Sequence, residues 1–338
     1  MHDGATEGGM SGAKGQVQKA FQPGPVPGGG ILWWLIDTTI GWAEWVLGKL
    51  TVVRLLLPGA KFVFALREAK NRVRRAGVLE TFKSVAEKRG VPWRDDVAKF
   101  ESRGTAVWEA EKDAATDPNV VIPEYYQKHG IGTLHSYDQG NSCWAAAFDA
   151  PSAYLLVHLH HYPNLTSQQS FDQIHDDMHT PALARIERGS RPLACLDIGC
   201  GVGTSTFALR SCLVKHGHTD ASILGVDLST YFVAVARYRN STSSSTDSSA
   251  PAITFRHGDG SNMRPLGVAD ASFDYVCMSE VTHELPQHIT RRLLAEVARV
   301  LRPGGVLAYL VSVHVHSSHI NIPLYRTIHH SDTNHAMA

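Results

Sequence analysis

One short segment constrains the fold of this chain more than any other. The run Leu196-Asp197-Ile198-Gly199-Cys200-Gly201-Val202-Gly203-Thr204 follows an apolar stretch and opens a helical one. Its three glycines permit a tight turn that side chains would block. Such a turn brings backbone N–H groups to a helix N-terminus at the carboxyl end of a strand, where open α/β sheets bind ligands. The segment therefore predicts an α/β fold with a ligand site at this turn.

The chain around this turn alternates between two kinds of pattern. Short apolar runs predict strands over 194–198, 222–227, 252–257, 273–278 and 305–313. Helical patterns lie between them over 205–217, 230–240 and 289–301. Strands alternating with helices predict a parallel sheet with right-handed crossovers. We therefore expect a Rossmann-like domain over residues 191–313.

Two classes of ligand compete for the glycine turn. A dinucleotide fingerprint, G-x-G-x-x-G, needs glycine at position 204, where this chain has Thr204. The acidic Asp197 precedes the first glycine, and its carboxylate would repel a pyrophosphate. The same carboxylate suits a ligand that carries an ammonium and a sulfonium group. The residues therefore favour S-adenosylmethionine over NAD.

The segment resembles motif I of class I S-adenosylmethionine-dependent methyltransferases, and later segments agree in order and spacing. The resemblance is strongest to the type 11 and ubiquinone/menaquinone methyltransferases, including plant and cyanobacterial members of unsettled acceptor. It implies that Asp227 binds the ribose hydroxyls and that Asp259 pairs with the adenine amino group. The other cofactor-binding residues that it implies are Asp197, Gly199, Gly201, Gly203, Leu228, Gly260 and Ser279.

Residues that face the methyl acceptor are expected after the fourth strand, in the run 279–286. His283 and Glu284 are the catalytic candidates there, and Tyr137 is a third candidate from the segment upstream of the domain. A general base is needed only if the acceptor must lose a proton. The alternative for His283 and Glu284 is a structural role at a strand-to-helix junction. No metal is expected.

Several functions remain open at this point. The first is a methyltransferase for a small-molecule or lipid/quinone-like acceptor. The alternatives are a cofactor-binding protein with impaired or no turnover and a protein or RNA methyltransferase. A dehydrogenase is disfavoured by Thr204. Because 32 Lys and Arg balance 32 Asp and Glu, charge gives no argument for a nucleic-acid partner, and none is expected.

The region before the domain divides into a tail and a helical part. Residues 1–30, rich in glycine and proline, predict a disordered tail, and 31–190 predict a mainly helical extension. Within it, 31–57 form an amphipathic pattern with four tryptophans. That helix either docks on its own domain or makes peripheral membrane contact. Residues 123–160 are expected to fold over the cofactor as a lid, with Tyr137 or Trp144 near it.

Cysteine usage bears on the compartment. The five cysteines are odd in number and scattered, which indicates reduced thiols rather than a disulfide framework. We therefore expect an intracellular protein, cytoplasmic or organellar, with a plastid and membrane association among the options.

The C-terminal end departs from the family pattern. Only residues 314–338 follow the fifth strand, and they predict an irregular histidine-rich tail. We expect the sheet to lack its last two strands, which would leave the fifth as an aggregation-prone edge. His314 and His316 share a strand face, but no carboxylate or cysteine stands at ligand spacing, so no zinc site is expected.

Overall fold

The computed structural model describes residues 76–129, 137, 139–159, 161–162, 164–187, 189, 191–243, 250–314 and 321–329. The predicted tail 1–30 and the amphipathic segment 31–57 lie outside them. Across the described ranges, the helices are too short or too polar for any of them to span a membrane. The elements below belong to the compact unit Val78–Ala338.

The core of this unit is one mixed sheet whose strands occur in the order β3-β2-β1-β4-β5-β6. The first five strands run parallel, as the alternation of patterns predicts. Their order reverses between β1 and β4, and such a switch point leaves a crevice at the carboxyl ends of the strands. The strands are β1 (Ala194–Ile198), β2 (Ser222–Asp227), β3 (Ala252–His257), β4 (Phe273–Ser279), β5 (Leu301–His314) and β6 (Asn321–His329).

Helices precede the sheet and connect its strands. The helical extension is confirmed over its described part, and the crossover helices match the predicted ones closely. The helices are α1 (76–88), α2 (Trp93–Glu101), α3 (Thr105–Ala115), α4 (Glu124–His129), α5 (Trp144–His158), α6 (Ser167–Leu183), α7 (Thr204–Lys215), α8 (Thr230–Thr242) and α9 (Gln287–Val300).

Both faces of the sheet are buried, which makes the fold a three-layer α/β/α structure. Neighbouring residues of β1 enter different cores, because successive side chains of a strand point to opposite faces. Cys195 joins a cluster with α6 and α7. Leu196 and Ile198 join a cluster with α9, whose apolar residues recur at helical spacing.

One expectation for the C-terminal end is corrected. Residues 321–329 are not irregular: they form β6, which pairs antiparallel with β5 from Val306↔His329 to His314↔Asn321. The fifth strand is therefore not an edge, and among the described strands β6 takes that position. An antiparallel strand beside the fifth is the arrangement that completes a class I methyltransferase sheet. The expectation that both last strands are missing is therefore wrong for the strand that pairs with β5.

Candidate functional site

The glycine turn forms the floor of the site. Gly199, Gly201 and Gly203 all have positive φ angles, of 70°, 54° and 83°. A Cβ at Gly199 would lie 2.5 Å from Val281, and one at Gly203 would lie 2.7 Å from the Phe255 ring. Among the described residues, a Cβ at Gly201 would meet only the Phe232 ring, at 3.8 Å. The outer two glycines are thus packed against protein, while the middle one leaves space above the turn.

Asp197 stabilises the turn from beneath. Its carboxylate is fully buried and accepts hydrogen bonds from the hydroxyls of Ser205 (2.8 Å) and Thr206 (2.6 Å) in the first turn of α7. Burial raises its pKa, and the two hydroxyls act in the opposite direction. The structure therefore places Asp197 as a support of the helix N-terminus, enclosed by protein rather than lining the crevice.

Asp227 lies at the end of β2 and faces the turn. Its carboxylate accepts the backbone N–H of Gly201 at 2.9 Å and that of Ser229 at 2.7 Å. Desolvation raises the pKa of this carboxyl to about 6, against the lowering effect of the two N–H groups. The side chain is half-buried, so it can accept further hydrogen bonds from a ligand. The structure thus brings Asp227 and Gly201 together.

Thr204 occupies the position where a dinucleotide fingerprint requires glycine. Its hydroxyl accepts a hydrogen bond from Arg239 at 2.8 Å, and the same guanidinium nitrogen donates to the Val202 carbonyl. Desolvation of the half-buried Arg239 lowers its pKa to about 10. This helix start is filled by protein groups, which fits the preference against NAD.

The turn after β3 approaches the same crevice. Asp259 is half-buried and caps its own turn by accepting the Ser261 N–H at 2.8 Å. Gly260 packs directly against the Ile198 side chain, so a larger residue would push this turn away from β1. Leu228, half-buried, follows Asp227. Asp227 and Asp259, which the resemblance assigns to ribose and adenine, therefore lie at the ends of adjacent strands.

The turn after β4 holds the catalytic candidates. Ser279 is buried, and its hydroxyl has no hydrogen-bond partner among the described residues. His283 lies between two carboxylates: its Nδ1 is 3.2 Å from Glu280 and its Nε2 is 3.9 Å from Glu284. Glu280 was not among the sequence candidates, although its place directly after the strand could have pointed to it.

Tyr137 lies elsewhere in the lid region. Its hydroxyl donates to Asp149, which also accepts the Trp93 indole N–H at 2.6 Å and lies 3.3 Å from Lys83. The Tyr137 hydroxyl therefore belongs to a network of hydrogen bonds and an ion pair within the helical extension. The structure does not bring it together with His283.

The expected lid segment contacts the site at several points. The Ser229 hydroxyl donates to the Asn141 carbonyl at 2.6 Å, two residues after Asp227. Trp144 packs edge-on against Tyr231 of α8, with ring centroids 4.7 Å apart. The segment thus reaches the carboxyl end of β2. Its folding over the cofactor stays a prediction.

Sequence reasoning missed two tyrosines that lie near the site. Tyr126 of α4 is near Asp227, Ser229 and Glu284, and desolvation together with these carboxylates raises its pKa well above 10. Tyr154 of α5 donates to the Ser279 carbonyl at 3.2 Å, and desolvation and the carboxylates of Glu280 and Glu284 raise its pKa. No local pattern marks either residue, because helix packing alone brings them here.

The residues of the crevice fit S-adenosylmethionine. The anchored Asp227 carboxylate offers an acceptor to a polar ligand. The buried hydroxyls of Tyr126 and Ser279, which have no hydrogen-bond partner among the described residues, can donate and accept. No group of three or more metal-binding side chains occurs in the described part of the chain. His316 lies outside the described residues.

Comparison with known proteins agrees with this geometry. Residues 196–309 match the family model of a methyltransferase domain, Methyltransf_11. This match identifies a methyltransferase domain within the chain. It begins at the glycine turn and ends in β5.

Three curated relatives are methyltransferases. Phthiotriol/phenolphthiotriol dimycocerosates methyltransferase of Mycobacterium tuberculosis is 31% identical over 41% of this chain and 44% of that protein. Trans-aconitate 2-methyltransferase of Methylobacterium nodulans is 33% identical over 39% and 44%. An O-methyltransferase of Penicillium expansum is 31% identical over 47% and 52%. The chain thus spans about half the length, or less, of the relatives that it matches.

Among solved structures, the [4+2]-cyclase SpnF is similar at a TM-score of 0.36, with 22% identity over 46% of this chain and 50% of that chain. A likeness at this level carries no functional argument.

Proposed function

We propose that the chain is an S-adenosylmethionine-dependent methyltransferase that acts on a small-molecule or lipid-like acceptor. One observation carries the proposal. The Asp227 carboxylate is fixed above the glycine turn by the N–H groups of Gly201 and Ser229, within a methyltransferase domain. A carboxylate that accepts hydrogen bonds at this place suits the ribose hydroxyls of the cofactor.

The crevice residues divide the binding task. Gly201 lets the ligand approach the backbone, Asp227 and Leu228 are at the ribose position, and Asp259 with Gly260 is at the adenine position. When bound, S-adenosylmethionine supplies an electrophilic methyl group: the acceptor's lone pair forms the new bond to carbon while the carbon–sulfur bond breaks and leaves its electron pair on sulfur. The protein orients the acceptor and excludes water, which lowers the barrier by proximity.

The acceptor class rests on the relatives and the surroundings. The relatives' names refer to a lipid-like acceptor, a small acid and an O-methylation. Tyr126 and Tyr154 surround the end of β4 with aromatic side chains, which suits an acceptor with apolar surface. The proposal also includes an intracellular location. It includes peripheral membrane contact through residues 31–57, which lie outside the described residues.

Calorimetry with S-adenosylmethionine, S-adenosylhomocysteine and NADH tests the cofactor. We expect both sulfur ligands to bind and NADH not to bind. Asp227→Ala should weaken S-adenosylmethionine binding by roughly 1.5–3 kcal/mol, since charge-assisted hydrogen bonds are lost. The exposed Asp220→Ala is the matched control and should bind normally. Equal affinity in the two variants would remove Asp227 from the site, and tight NADH binding would refute the proposal.

A further inference from the structure

The turn after β4 fixes one histidine by its neighbours on both sides. Nδ1 of His283 lies 3.2 Å from a Glu280 oxygen, within hydrogen-bonding reach. Nε2 lies 3.9 Å from Glu284, beyond that reach. A carboxylate can only accept, so the contact favours the tautomer of His283 with its proton on Nδ1. In that tautomer Nε2 keeps its lone pair.

The backbone of Glu280 is held in an unusual conformation that places its side chain. Its φ is 58°, in the left-handed region that residues other than glycine rarely adopt. The Glu280 N–H donates to the Leu310 carbonyl at 2.8 Å and so ties the turn to β5. Its side chain is only 10% exposed, whereas that of Glu284 is 31% exposed. The better enclosed carboxylate is the one that contacts the histidine.

The pair lies beside the crevice rather than on a remote surface. Ser279, directly before Glu280, has its buried hydroxyl without a hydrogen-bond partner among the described residues. Tyr154 donates to the Ser279 carbonyl from the helical extension. Glu280 and Glu284 are the charges that act most strongly on Tyr154. The histidine, the two glutamates and this tyrosine therefore surround one small region at the end of β4.

We propose that Glu280 is a positioning residue that holds His283 with Nε2 free to accept a proton, and that the methyl acceptor is a hydroxyl or amine that loses this proton. The inference rests on the proposed function and narrows its substrate class. As the acceptor's heteroatom bonds to the methyl carbon, its proton moves to Nε2, and Glu280 stabilises the imidazolium that forms. A carboxylate acceptor, ionised at neutral pH, would need no such base.

Ring-nitrogen NMR of the full chain tests the positioning role without any acceptor. At about pH 9, above the ordinary imidazole range, long-range proton–nitrogen spectra should show His283 protonated at Nδ1, with its signal identified by loss in His283→Asn. In Glu280→Gly, which suits the left-handed backbone, the proton should move largely to Nε2. Glu284→Ala is the matched control and should keep the Nδ1 proton. An Nε2-protonated ring in the wild type, or no change in Glu280→Gly, would overturn the proposal.

A turnover assay with S-adenosylmethionine tests the substrate class, using catechol, benzylamine and trans-aconitate as probes. We expect methylation of the hydroxyl or the amine, with kcat about 10²- to 10⁴-fold lower in His283→Asn. Methylation of trans-aconitate alone, at equal rates in wild type and His283→Asn, would overturn the substrate class and leave the methyltransferase assignment standing. Failure of S-adenosylmethionine to bind in calorimetry would instead remove the proposed function itself.

Discussion

Three glycines of one turn are needed for two different reasons. Gly199 and Gly203 have both positive φ and close neighbours, Val281 and the Phe255 ring. Gly201 has the positive φ, and the nearest described atom to a Cβ there belongs to the Phe232 ring at 3.8 Å, so its lack of a side chain leaves the backbone of the turn accessible. The spacing in the sequence predicts the turn but not this division, because Val281 and Phe255 come from distant strand ends.

Gly203→Ala should destabilise the fold more than a matched change elsewhere. An alanine there adopts a left-handed backbone, at a cost of roughly 1–2 kcal/mol, and also crowds Phe255. Gly267→Ala is the control, because its φ of 72° is similar and no described atom lies within 4 Å of the position that its Cβ would take. Denaturant unfolding should show Gly203→Ala less stable than Gly267→Ala by about 1–3 kcal/mol. Equal losses of unfolding free energy in the two variants would mean that the Phe255 side chain moves aside at little energetic cost.

At the scale of elements, the strands and crossover helices could be predicted, and the lid only in part. Periodicity placed β1 to β5 because buried parallel strands are nearly continuous apolar runs. The lid segment was predicted from its position, yet Tyr137 turned out to contact Asp149, while Tyr126 and Tyr154 came to the site. Which helix face meets the sheet is decided by tertiary packing, and single-residue roles in such a lid do not follow from local sequence.

Tyr126→Phe should separate ligand binding from stability. Its buried hydroxyl has no hydrogen-bond partner among the described residues, although Ser229 is near, so its removal should leave the free energy of unfolding unchanged or higher. S-adenosylmethionine affinity should fall by about 0.5–1.5 kcal/mol. Tyr162→Phe is the control: it loses a bond to Asp177 and should lower stability with affinity unchanged. Unaltered affinity in Tyr126→Phe would exclude the hydroxyl from the site.

For the whole molecule, the completion of the sheet depends on β6. The sequence did not predict this strand, and Pro323 within it argues against a central position, since proline cannot donate to a ladder. Proline is tolerated at an edge, which is where β6 lies among the described strands. The pairing with β6 therefore provides hydrogen-bond partners for the backbone groups along one side of β5. The local sequence pattern did not predict this pairing.

Removal of β6 should expose that edge. A chain that ends at residue 314 should show a lower Tm and concentration-dependent aggregation by light scattering, because the unpaired N–H and C=O groups of β5 become available to other chains. A chain that ends at residue 329 keeps the β5–β6 pairing and serves as the control. If both chains are equally stable and monomeric, β6 contributes nothing to the sheet.

Buried histidines make the whole fold sensitive to acid. His175 and His179 of α6 are buried against the sheet, and the Nε2 of each has no hydrogen-bond partner among the described residues. Desolvation lowers the pKa of His175 to about 4 and that of His179 well below 6.5, with Asp176 acting weakly the other way on His175. The unfolded chain therefore binds more protons than the folded one, so stability falls as pH drops below about 6.5.

His175→Asn should flatten this dependence. The His175 Nδ1–H donates to the Phe171 carbonyl at 2.9 Å, and an asparagine amide can replace that donor. Between about pH 7.5 and pH 5, a shift of this size costs the wild type about 2 kcal/mol of unfolding free energy. Asp227, with its pKa raised to about 6, acts with the opposite sign, but it is common to both proteins and cancels in the comparison. Urea unfolding at the two pH values measures the difference directly, and an unchanged pH dependence in His175→Asn would show that the ring is protonated equally in the folded and unfolded states.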